Sequence, residues 1–344
     1  MNAVPQPIQQ SEAQGIVPVD PATLLAAIRA PVREDLAAVD HAIRTELASD
    51  VVLVNSIAEY IIGAGGKRLR PLLVVLAARA AGYTGQHHAS AAALVEFIHT
   101  ATLLHDDVVD ESSQRRGRDT ANEVFGSTAS VLVGDFLYSR AFQMMVKLDR
   151  MAIMAILADA TNTIAAGEVL QLMNLRDPDT TEERYFEVIY RKTARLFEAG
   201  GEVAGVLAGA SPAVCSALAT YGKHLGNAFQ LVDDALDYRS DVGERGKNLG
   251  DDLAEGKPTL PLIHALRHAT PVQQALIRQA IEFGGLEYLD EITAMIESTG
   301  GLTYTARLAE DEALRASTAL EGLPGSPYKE ALLALARFAV IRNT

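Results

Sequence analysis

FIHTATLLHDDVVDE, residues 97–111, decides how the rest of the chain is read. Its apolar side chains recur at three- and four-residue spacing, without the strict alternation that a half-buried strand requires. The same spacing, with a high Ala and Leu content, runs through most of the 344 residues. Val-, Ile- and Thr-rich runs bounded by turn residues are hard to find. The fold class is all-α. Helices are predicted over 90–111, 130–147, 151–174, 212–238, 258–268 and 327–341. Asp20-Pro21 opens another, with a carboxylate to cap the first turn and a proline at the first helical position. Thr180, with Glu183 three residues on, reads as a capping box whose helix runs to about Gly200.

Composition narrows the class. Hydrophobic residues make up 49% and charged residues 22%, ample for a large core. With 30 basic against 44 acidic residues the net charge is −14, which disfavours an unassisted grip on nucleic acid or an anionic membrane. Cys215 is the lone cysteine, so neither an intrachain disulfide nor a cysteine-based zinc site can form. Residues 1–20 lack a basic start and an apolar core, and read as a disordered tail rather than a signal peptide. No uninterrupted apolar stretch reaches the roughly 18 to 20 residues of a membrane span. The expectation is a single helical domain over 21–344 in a cytoplasmic protein. One irregular stretch, RSDVGERGKNLGDDLAEGKP (239–258), is long enough to be read as a mobile, functional segment that closes over a ligand.

The opening stretch carries Asp106, Asp107 and Asp110, and LVDDALDY (231–238) carries Asp233, Asp234 and Asp237. Both read Asp-Asp-x-x-Asp between apolar flanks. Asp106 and Asp110, four residues apart, face the same way on a helix, with Asp107 beside them. Clustered carboxylates repel, so holding them among Leu and Val calls for a cation. Hard oxygen donors without a Cys or His pattern favour Mg²⁺ over zinc. A single acidic run is more often a solvated face; two copies are not easily read that way. The EF-hand spacing is absent, and a glycosidase needs one acid and one base rather than two triplets.

The basic residues indicate what the metal holds. GAGGKRLRP (63–71) contributes Lys67, Arg68 and Arg70, and Arg115, Arg116 and Arg118 follow the first acidic motif. Lys192 lies on the capped helix, and Lys247 and Lys257 lie within the Gly-rich segment. Guanidinium forks and ammonium point charges suit phosphate oxygens, and Mg²⁺ bridges phosphate to carboxylate. The combination reads as a diphosphate site. It is not a Walker A loop, because the spacing differs and no Ser or Thr follows Lys67.

On these motifs, in order GGKRLRP, FIHTATLLHDDVVDESSQRRG, GEVLQLMN, YRKTA, FQLVDDALDY and GKPTLP, the chain resembles the trans-isoprenyl diphosphate synthases of the polyprenyl synthetase family. The likeness covers nearly all of 50–344 and is nearest to the long-chain bacterial members that make quinone side chains, the octaprenyl-forming ones above all. It implies an isoprenoid-synthase-type helical bundle around a deep central cavity, a homodimer, and Mg²⁺, two or three ions per site. It further implies that Asp106, Asp110 and Asp233 are the principal metal ligands, with Asp107, Asp234 and Asp237 supporting them. Lys67, Arg70, His99 and Arg116 match positions that hold isopentenyl diphosphate. Arg115, Lys192 and Lys257 match contacts to the allylic diphosphate, with Lys247 nearby, and Thr193 and Gln230 match polar residues at the reacting centre. A lone His on an apolar helix is usually a core residue. His99, however, lies about two turns before Asp106 and shares its face.

The implied reaction adds isopentenyl diphosphate units to an allylic primer, farnesyl diphosphate by the resemblance. Product grows from the metals between helices, so residues one turn before Asp106 border its path. Short-chain members carry a bulky aromatic there, whereas this chain has Ala101 and Thr102. Phe142, Met145 and Leu157 are candidates for the cavity floor. Alternatives are a synthase of another chain length, a terpene cyclase or head-to-head synthase, and a regulatory subunit. The basic pocket in GGKRLRP argues against the cyclase, and two intact acidic motifs argue against the subunit.

Overall fold

The computed structural model describes residues 20–63, 65–115, 117–239 and 249–341. The expectations for the tail 1–19, Arg116, Lys247 and the 240–248 part of the Gly-rich segment lie outside the described residues.

Helices α1 (Pro21–Arg29), α2 (Arg33–Leu47), α3 (Val52–Gly63) and α4 (Leu69–Ala80) lead to the long α5 (His87–Val109). A short antiparallel hairpin, β1 (Gln114–Arg115) with β2 (Arg118–Asp119), is the only sheet among the described residues. Then come α6 (Ala121–Phe125), α7 (Ser127–Leu148), α8 (Met151–Asn174) and α9 (Glu182–Ile189). A π turn, Tyr190–Ala194, joins α9 without a break to α10 (Arg195–Leu207), and α11 (Pro212–Leu236) follows. Next come α12 (Asp251–Glu255) and α13 (Leu260–His268), then α14 (Pro271–Phe283), α15 (Leu289–Ser298) and α16 (Gly301–Ala319). The last helix, α17 (Pro327–Ile341), packs against α16, α11, α4 and α1.

The hydrophobic pattern explains the layering. In α4 every residue from Pro71 to Ala78 is buried, the mark of a helix apolar all round and enclosed by others. It is surrounded by α5, α10 and α17, while α7 packs on α5 and α16 on α11. α10 and α11 cross backbone to backbone, since a Cβ at Gly201 would collide with the Leu218 carbonyl and one at Gly222 with that of Phe197. Buried Phe197 and Phe229 stack beside that crossing.

The helix expectations hold, with local corrections. Asp20 caps α1, its carboxylate accepting from Thr23 N at 2.9 Å. The predicted cap at Thr180 is displaced by one residue. Thr181 Oγ1 accepts from Arg184 N at 3.2 Å, and Thr180 is buried. The helix starts at Glu182, so Glu183 stands one position too early to reach back to the cap. Nor does this helix stop at Gly200. Gly200 and Gly201 are buried inside α10, used for close approach rather than termination. One helix, α8, is long and apolar enough by length and composition to cross a membrane, which the sequence reading did not anticipate. It packs along α9, α10 and the π turn and carries a carboxylate to the site described next.

Candidate active site

The first acidic motif occupies the last turn of α5, and the second the last turn of α11. Lysines connect them. Lys257 Nζ donates to Asp110 Oδ2 at 3.0 Å and pairs with Glu255. Its neighbour Asp252 donates its backbone N–H to Asp237 Oδ2 at 3.1 Å. Burial alone would lower Lys257, but the carboxylates of Asp252, Asp110 and Glu255 outweigh it and keep the ammonium charged. On the other side, Lys192 stands on the π turn with Nζ 3.7 Å from Asp106 Oδ2. The next residue, Thr193, donates to Gln230 Oε1 at 2.8 Å, which ties the turn to α11 one turn before Asp233.

Within each triplet the carboxylates have different surroundings. Asp107 is buried, and its Oδ1 accepts from Arg115 Nε at 2.8 Å and Nη2 at 2.6 Å. Asp107, expected as an auxiliary metal ligand, and Arg115, expected as a diphosphate contact, form an ion pair in this structure, with two guanidinium nitrogens sharing one carboxylate oxygen. The pair anchors the hairpin to α5. Asp234 is likewise buried, accepting from Tyr185 Oη at 2.6 Å and Gln230 Nε2 at 2.7 Å. Burial, with Asp252 nearby, pushes its carboxyl up to about 7. Asp233 is exposed, on the open side of α11. Asp106 is raised from the usual carboxylate range, chiefly by burial and, after the opposing pull of Lys192, by Asp110.

Of the basic residues, Arg70 is placed beside His99. Arg70 Nη1 and His99 Nε2 meet at 2.9 Å, and the Arg70 guanidinium lies 4.5 Å from the Phe197 ring centroid. Lys67 Nζ lies 5.5 Å from the ring centre of Phe338, while its carbonyl accepts from Arg29 Nη2 at 2.6 Å. Arg68, with its backbone in the left-handed region, turns away to pair with Asp40. Thr102 Oγ1 donates to the His99 carbonyl at 2.8 Å, so its hydroxyl is spent within α5. Ala101, Met145 and Leu157 are buried where α5, α7 and α8 meet the core. Phe142 is 44% exposed on the outer face of α7, which corrects its reading as part of a cavity floor. An apolar cavity beside α5 is lined by Ile61, Ile62, Phe97, Leu103 and Leu137, with His99 at its polar edge.

Besides Tyr185, two more groups escaped the sequence reading. Glu168, on α8, accepts from Lys192 Nζ at 2.7 Å, and burial together with Asp106 raises its carboxyl to about 7. Tyr138, on α7, has its phenol held up at about 12 by burial and by the charges of Asp106 and Glu168. The signal for Glu168 was a lone acid in the apolar run GEVLQLMN.

The donor set fits a hard divalent cation. Among the described residues no three carboxylates or imidazoles converge as a ready-made cage. Asp106 and Asp110 instead face ammonium groups, and Glu168 Oε1 is buried with no hydrogen-bond partner among the described residues. That arrangement suits a hard divalent cation that takes one or two carboxylates and completes its shell with water and substrate phosphate.

Comparison with known proteins gives the family. The family described as Polyprenyl synthetase matches residues 51–298. The octaprenyl diphosphate synthase of Escherichia coli (strain K12) is 56% identical over 311 residues, covering 90% of this chain and 96% of that protein. An all-trans-nonaprenyl-diphosphate synthase (geranyl-diphosphate specific) of Rhodobacter capsulatus is 49% identical over 316 residues, covering 92% and 97%. Among solved structures, a polyprenyl synthase from Caulobacter crescentus CB15, complexed with calcium and isoprenyl diphosphate, superposes with a TM-score of 0.90. It shows 45% identity and covers 93% of this chain and 98% of that one.

Proposed function

The chain belongs to the polyprenyl synthetase family, and on that premise we propose how its site works and what it makes. It is a prenyltransferase that forms long-chain all-trans polyprenyl diphosphates. The product we assign is octaprenyl diphosphate, built from isopentenyl diphosphate on farnesyl diphosphate and destined for a quinone side chain. The identity with octaprenyl-forming relatives supports this length; the nonaprenyl relative makes a longer product the alternative. One observation carries the mechanism: two half-buried lysines face the first acidic motif, and a Thr193–Gln230 hydrogen bond ties the turn that carries one of them to the helix of the second.

Asp106, Asp110 and Asp233 would hold Mg²⁺, in a cluster of two or three ions, with Asp237 and the buried Asp234 behind them. When bound, the metal draws charge onto the allylic diphosphate and stabilises it as it leaves. Lys192 and Lys257, paired with Asp106 and Asp110 in this structure, would turn their charge to the diphosphate oxygens where those carboxylates hold the metal. As the C1–O bond breaks, its electron pair departs with the diphosphate, and the buried ammonium groups meet that charge in a preorganised site. Arg70, His99 and Lys67 hold isopentenyl diphosphate so that its double bond faces the allylic C1. The new carbon–carbon bond forms there, and the proton lost in restoring a double bond passes to the released diphosphate. No side-chain nucleophile takes part. Thr193 and Gln230 orient the reacting groups through the hydrogen bond they share.

A second copy of the chain fits the apolar residues that α7 and α8 leave exposed, Leu132, Phe142, Val146 and Met151, which supports a homodimer. Incubating the protein with isopentenyl and farnesyl diphosphates and Mg²⁺, then sizing the dephosphorylated products, tests the assignment. Octaprenyl alcohol is expected. A cyclised terpene or no extension overturns it.

A further inference from the structure

Glu168 is a charged residue at the site that belongs to neither acidic motif. The ammonium of Lys192 lies 2.7 Å from Glu168 Oε2 and 3.7 Å from Asp106 Oδ2, so in this structure Glu168 is its closer carboxylate partner. The contact depends on α8 running hard against the π turn. A Cβ on Gly167 would fall 2.7 Å from Arg191 Cβ and 3.0 Å from Lys192 N, so only glycine allows the approach that brings the next residue to the lysine. Lysine is a compact charge on a flexible stem, and a stem that must meet a diphosphate has to be aimed before the substrate arrives. Asp106 cannot supply that aim throughout, because its carboxylate is needed elsewhere once the site is loaded. Glu168 sits on a different helix and stays available as the second anchor.

Building on the prenyltransferase reading, we infer that Glu168 is the positioning residue that seats Lys192 against the allylic diphosphate. It acts through Lys192 and not on isopentenyl diphosphate, whose basic pocket lies around Arg70 and His99.

The test is a double-mutant cycle on the full chain with Glu168→Ala, Glu168→Gln and Lys192→Ala. Two readouts are taken. One is calorimetric binding of a non-reactive allylic thiolodiphosphate with Mg²⁺, and the other is kcat with KM for each substrate. Losing a charge-assisted hydrogen bond, Glu168→Ala should weaken allylic binding roughly 10- to 100-fold and leave the KM for isopentenyl diphosphate in place. Glu168→Gln, which keeps an acceptor and the shape of the side chain, should lose less, and serves if the alanine variant does not fold. In the Lys192→Ala background, replacing Glu168 should change nothing further. Losses that multiply in the double variant, or an isopentenyl KM that shifts as much as the allylic one, overturn the inference. Extension by the unaltered protein keeps the two readings apart. If it fails, the assigned function falls; if it succeeds and the cycle is additive, only the role of Glu168 falls.

Discussion

Replacing Tyr185 by Phe should damage the site from beneath while leaving every proposed ligand in place. The Tyr185 hydroxyl, in a fully buried ring, donates to Asp234 Oδ2 at 2.6 Å, and Gln230 Nε2 supplies the second hydrogen bond at 2.7 Å. Without the hydroxyl, a buried carboxylate keeps one of its two donors. For a charged group that loss is worth about 1.5 to 3 kcal/mol. The effect depends on pH, because Asp234 is already raised to about 7 and escapes much of the penalty by taking a proton. The variant should therefore melt close to the parent near pH 5.5, and about 3 °C below it at pH 8.5 on the entropy scale of a chain this size. Activity should fall as well. Asp234 holds the Gln230 amide with its oxygen toward Thr193, and a proton on Asp234 removes the reason for that orientation. Thermal melts at the two pH values, paired with product formation at pH 8, decide the matter. A stability difference that does not grow with pH, or full turnover beside a pH-dependent loss, refutes the linkage.

Three further outcomes follow from the same geometry. Asp106→Asn or Asp233→Asn keeps the shape and removes a metal-binding charge, so turnover should drop on the order of 10³-fold with melting unchanged, and near-normal activity in either variant sinks the metal assignment. Ala101→Phe should shorten the products and Met145→Ala should lengthen them; an active Ala101→Phe enzyme with an unaltered product distribution means the chain does not pass that turn of α5. The ligand-free protein should lose stability as pH rises from about 4 to about 7, since raised carboxyls such as Asp234 and Glu168 bind more protons folded than unfolded. Melting temperatures across that range should slope downward more gently in Asp234→Asn, and identical slopes count against the assignment.

What could be read from the sequence was the part that is contiguous. Asp106, Asp110 and Asp233 announce themselves because each motif lies within two turns of one helix, with spacing and apolar flanks both visible in a few residues. The pairing of Arg70 with His99 was within reach for a similar reason, since each stands in a motif with a chemical bias of its own. Tyr185 and Glu168 were not. A phenol or a single carboxylate on an otherwise apolar helix looks locally like a core or surface residue, and only the crossing of helices gives it a charged partner. The π turn shows why such partners cannot be counted off by helical periodicity. A helix running regularly from Glu182 would advance about 100° per residue, so the extra residue held in the turn at Tyr190–Ala194 rotates everything after it by one such step. With that step, Tyr185 on α9 reaches Asp234, Lys192 faces α8 and α5, and α10 still buries Phe197 and its glycine face against α11. A regular helix could satisfy the site or the core, but the rotation between them would be wrong for the other.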